Sequence, residues 1–255
     1  MTMHAANDAG DSASSSIALE LSGVTHRFGA KRALDDVSFR VAAGSFTALL
    51  GANGAGKSTL FALATRLFDC ATGSISVFGR DLKRHPGAAL SRLGVVFQDT
   101  TLDLDLSVVQ NLRYAAALHG IGRHDAEAGI ERGLARFGMS DRRHEKARRL
   151  NGGHRRRVEI IRALMHQPAL LLLDEPTVGL DVPTRRQLVE QVHRLSRDDG
   201  VAVLWATHLV DEIEGPNDRI VLLREGRVAE QGSVAEVLAA AGVDELGALF
   251  APSAG

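Results

Sequence analysis

A chain of 255 residues that is 45% hydrophobic is long enough to bury one large core, or a core carrying a subdomain. Its formal net charge of -1 excludes a global field that would draw it to nucleic acid or to an anionic membrane, and a single cysteine, Cys70, excludes an internal disulfide. The apolar run ALLLL at 169–173 stops at Asp174 and is too short to cross a bilayer, so any membrane role must pass through a partner and the expected location is the cytoplasm.

In chain order, residues 1–16 (MTMHAANDAGDSASSS) are small and polar. They lack the basic start and apolar stretch of a secretory leader, and the expectation is a disordered tail. DVSFRV at 36–41 alternates apolar and polar residues like a half-buried strand. SFTALLG at 45–51 is an apolar strand running into glycines, with a helix expected over 57–68. ISVF at 75–78 and GVVF at 94–97 read as strands. The interval 99–166 has helical periodicity, at 107–119, 124–137 and 154–165, without a convincing strand, so a helical subdomain is expected there. Strands follow at 170–174, 201–207 and 219–223, with a helix over 184–197 between the first two. Apolar strands alternating with helices predict an α/β fold whose mostly parallel sheet is covered on both faces. One domain is expected over 17–240 and a short C-terminal tail over 241–255, with the helical AEVLAAAGVDELGALF beyond Val234 running across that boundary.

GANGAGKST at 51–59 carries the strongest chemistry. It fits G-x-x-x-x-G-K-[ST] with Gly51, Gly56, Lys57 and Ser58, and Asn53, Gly54 and Thr59 lie in the same loop. Glycines let backbone N–H groups converge on phosphate oxygens, and the following helix adds the positive end of its dipole. Lys57 would reach the β- and γ-phosphates of a nucleotide, and the Ser58 hydroxyl would ligate Mg²⁺. The alternative, a glycine turn with an incidental lysine, is opposed by the strand before it and the helix after it. LLLLDEP supplies two carboxylates at a strand end: Asp174 to hold Mg²⁺ and Glu175 to orient or deprotonate a water. Alone, it reads equally well as an acidic turn closed by Pro176.

Taken together, GANGAGKST, VVFQD, LNGGH at 150–154, LLLLDEPTVGLD at 170–181 and WATH ending at His208 resemble the ATP-binding subunits of ABC transporters, over roughly residues 17–240. The resemblance implies a P-loop NTPase with an antiparallel β subdomain beside the main sheet and a helical subdomain, working with ATP and Mg²⁺. It implies that Gln98 senses the γ-phosphate and Mg²⁺, that His208 holds the transition-state geometry, and that Asp181 contacts an opposite ATPase subunit. It matches Phe28, in VTHRFGAKRAL, to the aromatic that stacks on adenine, although a lone Phe is as readily a core residue. The implied partners are separate membrane subunits and a second ATPase chain, identical or related, on the inner face of the cell membrane.

The family pattern at 150–154 is LSGGQ, a motif that completes the site of the facing subunit. Here Asn151 replaces the serine and His154 the glutamine, while Gly152 and Gly153 remain. Asn is an amide donor and a good helix N-cap, and the backbone donors do not depend on either replaced side chain, so a working motif is expected. His154, with an unperturbed pKa near 6.5, would make closure mildly pH-dependent. The arginines of 155–157 are expected on the surface or at an interface. They end a basic run in which eight of the seventeen residues 141–157 are Arg or Lys, read as a solvated helix face.

VFQDTTLDLDLSVVQNLRYAAALHGI at 96–121 resembles ATPases of ABC-2-type exporters, and LNGGHRRRVEI resembles subunits associated with PQQ-dependent alcohol oxidation. Two other readings share these motifs: a soluble ABC ATPase of the cluster-assembly type, and a nucleotide switch that binds ATP and barely turns it over.

Overall fold

A computed structural model describes residues 17–213, 215 and 217–250. The tail expected at 1–16 and the end of the C-terminal tail, 251–255, lie outside the described residues.

Two sheets form the scaffold. In the smaller, β1 (Ile17–Phe28) pairs antiparallel with both β2 (Lys31–Ala42) and β4 (Thr72–Val77), and the short β5 (Arg80–Asp81) closes the order β2-β1-β4-β5. This is the antiparallel subdomain. The sequence located the second half of β2 and the second half of β4 but not β1, whose register shifts break its alternation. The larger sheet has the order β10-β9-β3-β8-β7-β6. Its strands are β3 (Phe46–Leu50), β6 (Leu93–Val96), β7 (Leu170–Asp174), β8 (Ala202–Thr207), β9 (Arg219–Arg224) and β10 (Arg227–Ser233). Five run parallel and β10 pairs antiparallel at the edge. That last hairpin turn, Glu225–Gly226, has positive φ at both residues and was not anticipated.

Burial on both faces explains the continuous apolar strands. Leu171, Leu173, Val203 and Trp205 point to the core shared with the helical region, while Leu170, Leu172, Ala202 and Leu204 point to the core beneath the antiparallel sheet. Period two is present, but both sets are apolar, so no polar alternation marks them. The helices are α1 (Lys57–Ala64), α2 (Pro86–Leu90), α3 (Val108–Leu118), α4 (Arg123–Arg136), α5 (Gly152–Leu164), α6 (Val182–Asp199) and α7 (Val234–Ala241). The helix expected over 57–68 ends at Ala64, where Thr65 turns its hydroxyl back onto the Phe61 carbonyl and Arg66 takes a positive φ. α5 begins at Gly152 rather than 154. The C-terminal segment packs inward: Leu249 is buried and its carbonyl accepts from Arg224 at 2.7 Å.

The basic run is not one solvated helix face. It folds as two 3-10 turns followed by α5, with Arg142 paired to Glu145, Arg143 to Glu127 and Arg148 to Asp105. Among the described residues no helix is long and apolar enough to cross a membrane.

Leu204, fully buried at the centre of β8, tests this packing. Leu204→Ala should cost about 2–5 kcal/mol, seen as a lower urea midpoint with an unchanged dependence on denaturant.

Candidate active site

The loop between β3 and α1 is shaped by close backbone approach. A Cβ on Gly51 would lie 2.7 Å from the Leu223 carbonyl oxygen, and one on Gly56 would lie 2.7 Å from that of Ala33, where φ is also +110°. Only glycine fits either place. Gly56 is the N-cap of α1 and supplies no side-chain acceptor, so residues 56–59 present helix N-terminal N–H groups where they line a cleft of about 330 Å³.

Lys57 is 4% exposed. Its Nζ donates to the carbonyls of Gly51 at 2.7 Å and Ala52 at 3.3 Å, and lies 3.0 Å from Glu175 Oε1. The same carboxylate oxygen stands 3.5 Å from His208 Nδ1, a buried nitrogen that has no hydrogen-bond partner. Glu175 is held at φ +46°, and its N–H donates to the Ala206 carbonyl. A left-handed conformation at a non-glycine residue costs about 1–3 kcal/mol, and here it turns the carboxylate away from the line of β7 toward Lys57. The adjacent Asp174 ends the strand, 3% exposed, with Oδ1 lacking any partner. Burial pushes its carboxyl above the usual carboxylate range and the Glu175 charge adds to this, while the Ser58 hydroxyl, Lys57 and Arg156 pull the other way. An unpaired buried carboxylate oxygen with a serine hydroxyl beside it is a donor set that fits a hard divalent cation.

The cleft brings together most of the residues picked from the sequence. Phe28, Asn53, Gly54, Gly56, Lys57, Ser58, Thr59, Gln98 and Glu175 all line it. Phe28 is not a core residue: it is 47% exposed and sits edge-on to His26 and Phe68 at 4.7 and 5.5 Å. Lys31 and Ala33 also line the cleft. Sequence reasoning passed over Lys31, whose only signal was its place three residues after Phe28.

Asn151, Gly152, Gly153 and Asp181 do not line the cleft and form a second group. The Asn151 side chain caps α5 by accepting from the His154 N–H at 2.8 Å, and Asp181 caps α6 by accepting from the N–H and hydroxyl of Thr184. The two helix starts adjoin, for a Cβ on Gly153 would lie 2.5 Å from Thr184 Cγ2. His154 is half-buried, and burial, reinforced by Arg142 and Arg157, holds its imidazole below the usual histidine range. A lowered value moves any pH-dependence that His154 lends to closure to the acid side of the ordinary histidine range. Arg156, expected at the surface, is buried and tied to Glu159.

A third cluster was not legible in the sequence. Glu212 is 1% exposed and accepts from the Trp205 indole N–H at 2.9 Å and from the Thr177 hydroxyl. It joins the loop after Glu175 to the segment after His208. Three residues separated by 7 and 35 positions meet only because β7 and β8 are neighbours.

Residues 34–178 match the ABC transporter family. The chain is 36% identical over 229 residues to the daunorubicin resistance ATP-binding protein DrrA3 of Streptomyces coeruleorubidus, covering 90% of this chain and 72% of that one. It is 39% identical over 212 residues to the aliphatic sulfonates import ATP-binding protein SsuB 1 of Burkholderia cenocepacia, covering 83% and 63%. Among solved structures it resembles cbiO1 of Clostridium perfringens, part of the transporter complex cbiONQ, with a TM-score of 0.79, 27% identity and coverage of 88% and 91%. The likeness of LNGGHRRRVEI to alcohol-oxidation subunits finds no support in these comparisons.

Burial at Asp174 has a measurable cost. A carboxyl whose pKa is raised by folding favours the folded state below its unfolded pKa, and loses that contribution as pH rises through the folded value. Asp174→Asn should therefore raise the melting temperature of the nucleotide-free protein by a few degrees at pH 8. Repeating the melts at successively lower pH should show the gain shrinking.

Proposed function

The chain belongs to the ABC transporter family, as an ATP-hydrolysing ATP-binding subunit, and from that premise we propose that it drives a separate membrane subunit by closing head to tail on a second ATPase chain around two ATP molecules. The observation that carries this reading is the division of the site residues into two groups. The phosphate loop, Gln98 and Glu175 share one cleft, whereas Asn151, Gly152 and Asp181 are exposed as a separate patch at the starts of α5 and α6, with Gly153 buried beneath it. Each chain thus presents two half-sites, and two chains related by a two-fold axis would complete both.

In the free chain the Lys57 ammonium donates to two carbonyls and is paired with the Glu175 carboxylate. Phosphate oxygens of ATP would give Lys57 a better-matched anion and release Glu175, which then orients the attacking water and takes its proton. A bond forms between the water oxygen and the γ-phosphorus as the bond to the β-phosphate bridging oxygen breaks, giving ADP and phosphate. His208, already facing Glu175, would bond the γ-phosphate, and the exposed ring of Phe28 would stack on adenine. Ser58, Asp174 and Gln98 offer the oxygens that would hold Mg²⁺, which supplies charge neutralisation at the phosphates. Contacts from both chains to the γ-phosphate stabilise closure only while it is present, so hydrolysis lets the pair reopen.

We place the subunit on the cytoplasmic face of the membrane, with transport outward. Outward direction rests on residues 96–121 and on the similarity to the daunorubicin resistance protein; the sulfonate import protein is comparably similar, so capture of the membrane partner is the test of direction. The ATPase reading is tested by two variants. Lys57→Ala should weaken ATP binding at least about tenfold, measured by titration with a fluorescent ATP analogue. Glu175→Gln should bind normally, hydrolyse at least about a hundredfold more slowly, and form an ATP-dependent dimer in light scattering. Normal phosphate release by Glu175→Gln removes Glu175 as the base.

A further inference from the structure

The end of β6 and the start of α5 are tied together by a buried charged clamp. Arg156 donates from Nη1 to the Phe97 carbonyl at 2.6 Å and to Glu159 Oε2 at 2.8 Å, and from Nη2 to the Gln98 carbonyl at 2.7 Å. The other oxygen of Glu159 accepts from the Thr100 hydroxyl and the Thr101 N–H, both at 2.8 Å. One turn further along α5, Arg162 donates to the Thr101 carbonyl at 2.7 Å. The Arg156 and Glu159 side chains are only 10% and 2% exposed. Both lie on the helix that Asn151 caps and that opens with Gly152 and Gly153.

We propose that Arg156 is a positioning residue that joins the Gln98 segment to the LNGGH helix, so that the two segments move as one body. The inference rests on the proposed ATPase reading and adds to it the linkage by which occupation of one chain's cleft resets the patch offered to the other chain. Two features support it. The guanidinium spends its planar fork on the backbone carbonyls that bracket Gln98, so it fixes the chain position of that residue rather than a replaceable side chain. A buried ion pair adds little stability beyond an apolar pair of similar volume, whereas it fixes one register, which suits a coupling role.

Lysine keeps the charge that Glu159 needs but cannot span both carbonyls, so Arg156→Lys loosens the link without stranding a buried anion. The full-length wild-type and Arg156→Lys proteins are compared by hydrogen–deuterium exchange, with and without a non-hydrolysable ATP analogue. ATP turnover and binding are measured in parallel, well below the melting temperature. In wild type the analogue should alter exchange at 51–59, 97–101 and 152–162 together. In Arg156→Lys the change should stop at 101, with kcat reduced about tenfold or more while the nucleotide affinity stays within about twofold. An identical response at 152–162 in the two proteins, with kcat unchanged and only the melting temperature lowered, overturns the inference and leaves Arg156 a packing residue. No response at 51–59 in wild type overturns the nucleotide reading itself, and the inference with it.

Discussion

A lysine ammonium buried to 4% exposure must be neutralised and hydrogen-bonded, and around Lys57 that requirement organises the molecule. Two of its acceptors are carbonyls of its own loop, which therefore has to curl tightly. The third is Glu175, delivered by a different strand. For the carboxylate to arrive, β3 and β7 must both flank β8, and Glu175 must leave the line of β7 in a strained left-handed conformation. Close packing of Gly51 and Gly56 under the carbonyls of Leu223 and Ala33 then fixes the loop against β9 and β2. The antiparallel sheet is thus a structural neighbour of the phosphate loop.

The same pair sets the condition for chemistry. With Lys57 on Glu175, the proposed base is bound to a cation and the proposed phosphate ligand is bound to an anion. Each is held in reserve by the other until a polyanion competes. A phosphate bearing several charges competes well for a lysine at a helix N-terminus, since loop N–H groups and the helix dipole reinforce it. Asp174 is different: burial raises its pKa and one oxygen has no donor, so the apo site carries an electrostatic cost that a divalent cation would offset. This is the usual relation of active sites to stability, in which groups arranged for ligand are imperfectly satisfied without it.

Around this centre lie two buried polar linkages that transmit position. Glu212 joins the loop after Glu175 to the segment after His208, and the Arg156–Glu159 clamp joins the segment of Gln98 to α5. The first connects the segments that follow the neighbouring parallel strands β7 and β8, and the second ties the segment that follows β6 to a helix; ligands gather at such carboxyl strand ends in open α/β sheets. Buried polar groups that are fully bonded to one another resist being separated, because breaking one contact leaves its partner unsatisfied in a low-dielectric interior. The segments around the cleft are therefore bound to one another more tightly than loops on an exposed rim.

Much of this was readable one segment at a time. GANGAGKST announces its chemistry because glycine spacing, lysine and hydroxyl are local requirements of a phosphate loop, and β3, β7, β8 and β9 declare themselves by unbroken apolar runs. β1 and β10 did not, since register shifts and an edge position blur their period. Nor could the fate of Arg156 be read: in a run of arginines nothing local distinguishes the one that turns inward to carbonyls 58 and 59 residues away. The sequence by itself determined the residue types and the short-range backbone geometry that the chemistry needs. Tertiary structure alone decided which charges meet, that Asp174 is left wanting a partner, and that 151–153 and Asp181 stand apart from the cleft. Those outcomes depend on strand order, and strand order comes from burying both faces of the sheet rather than from any one segment.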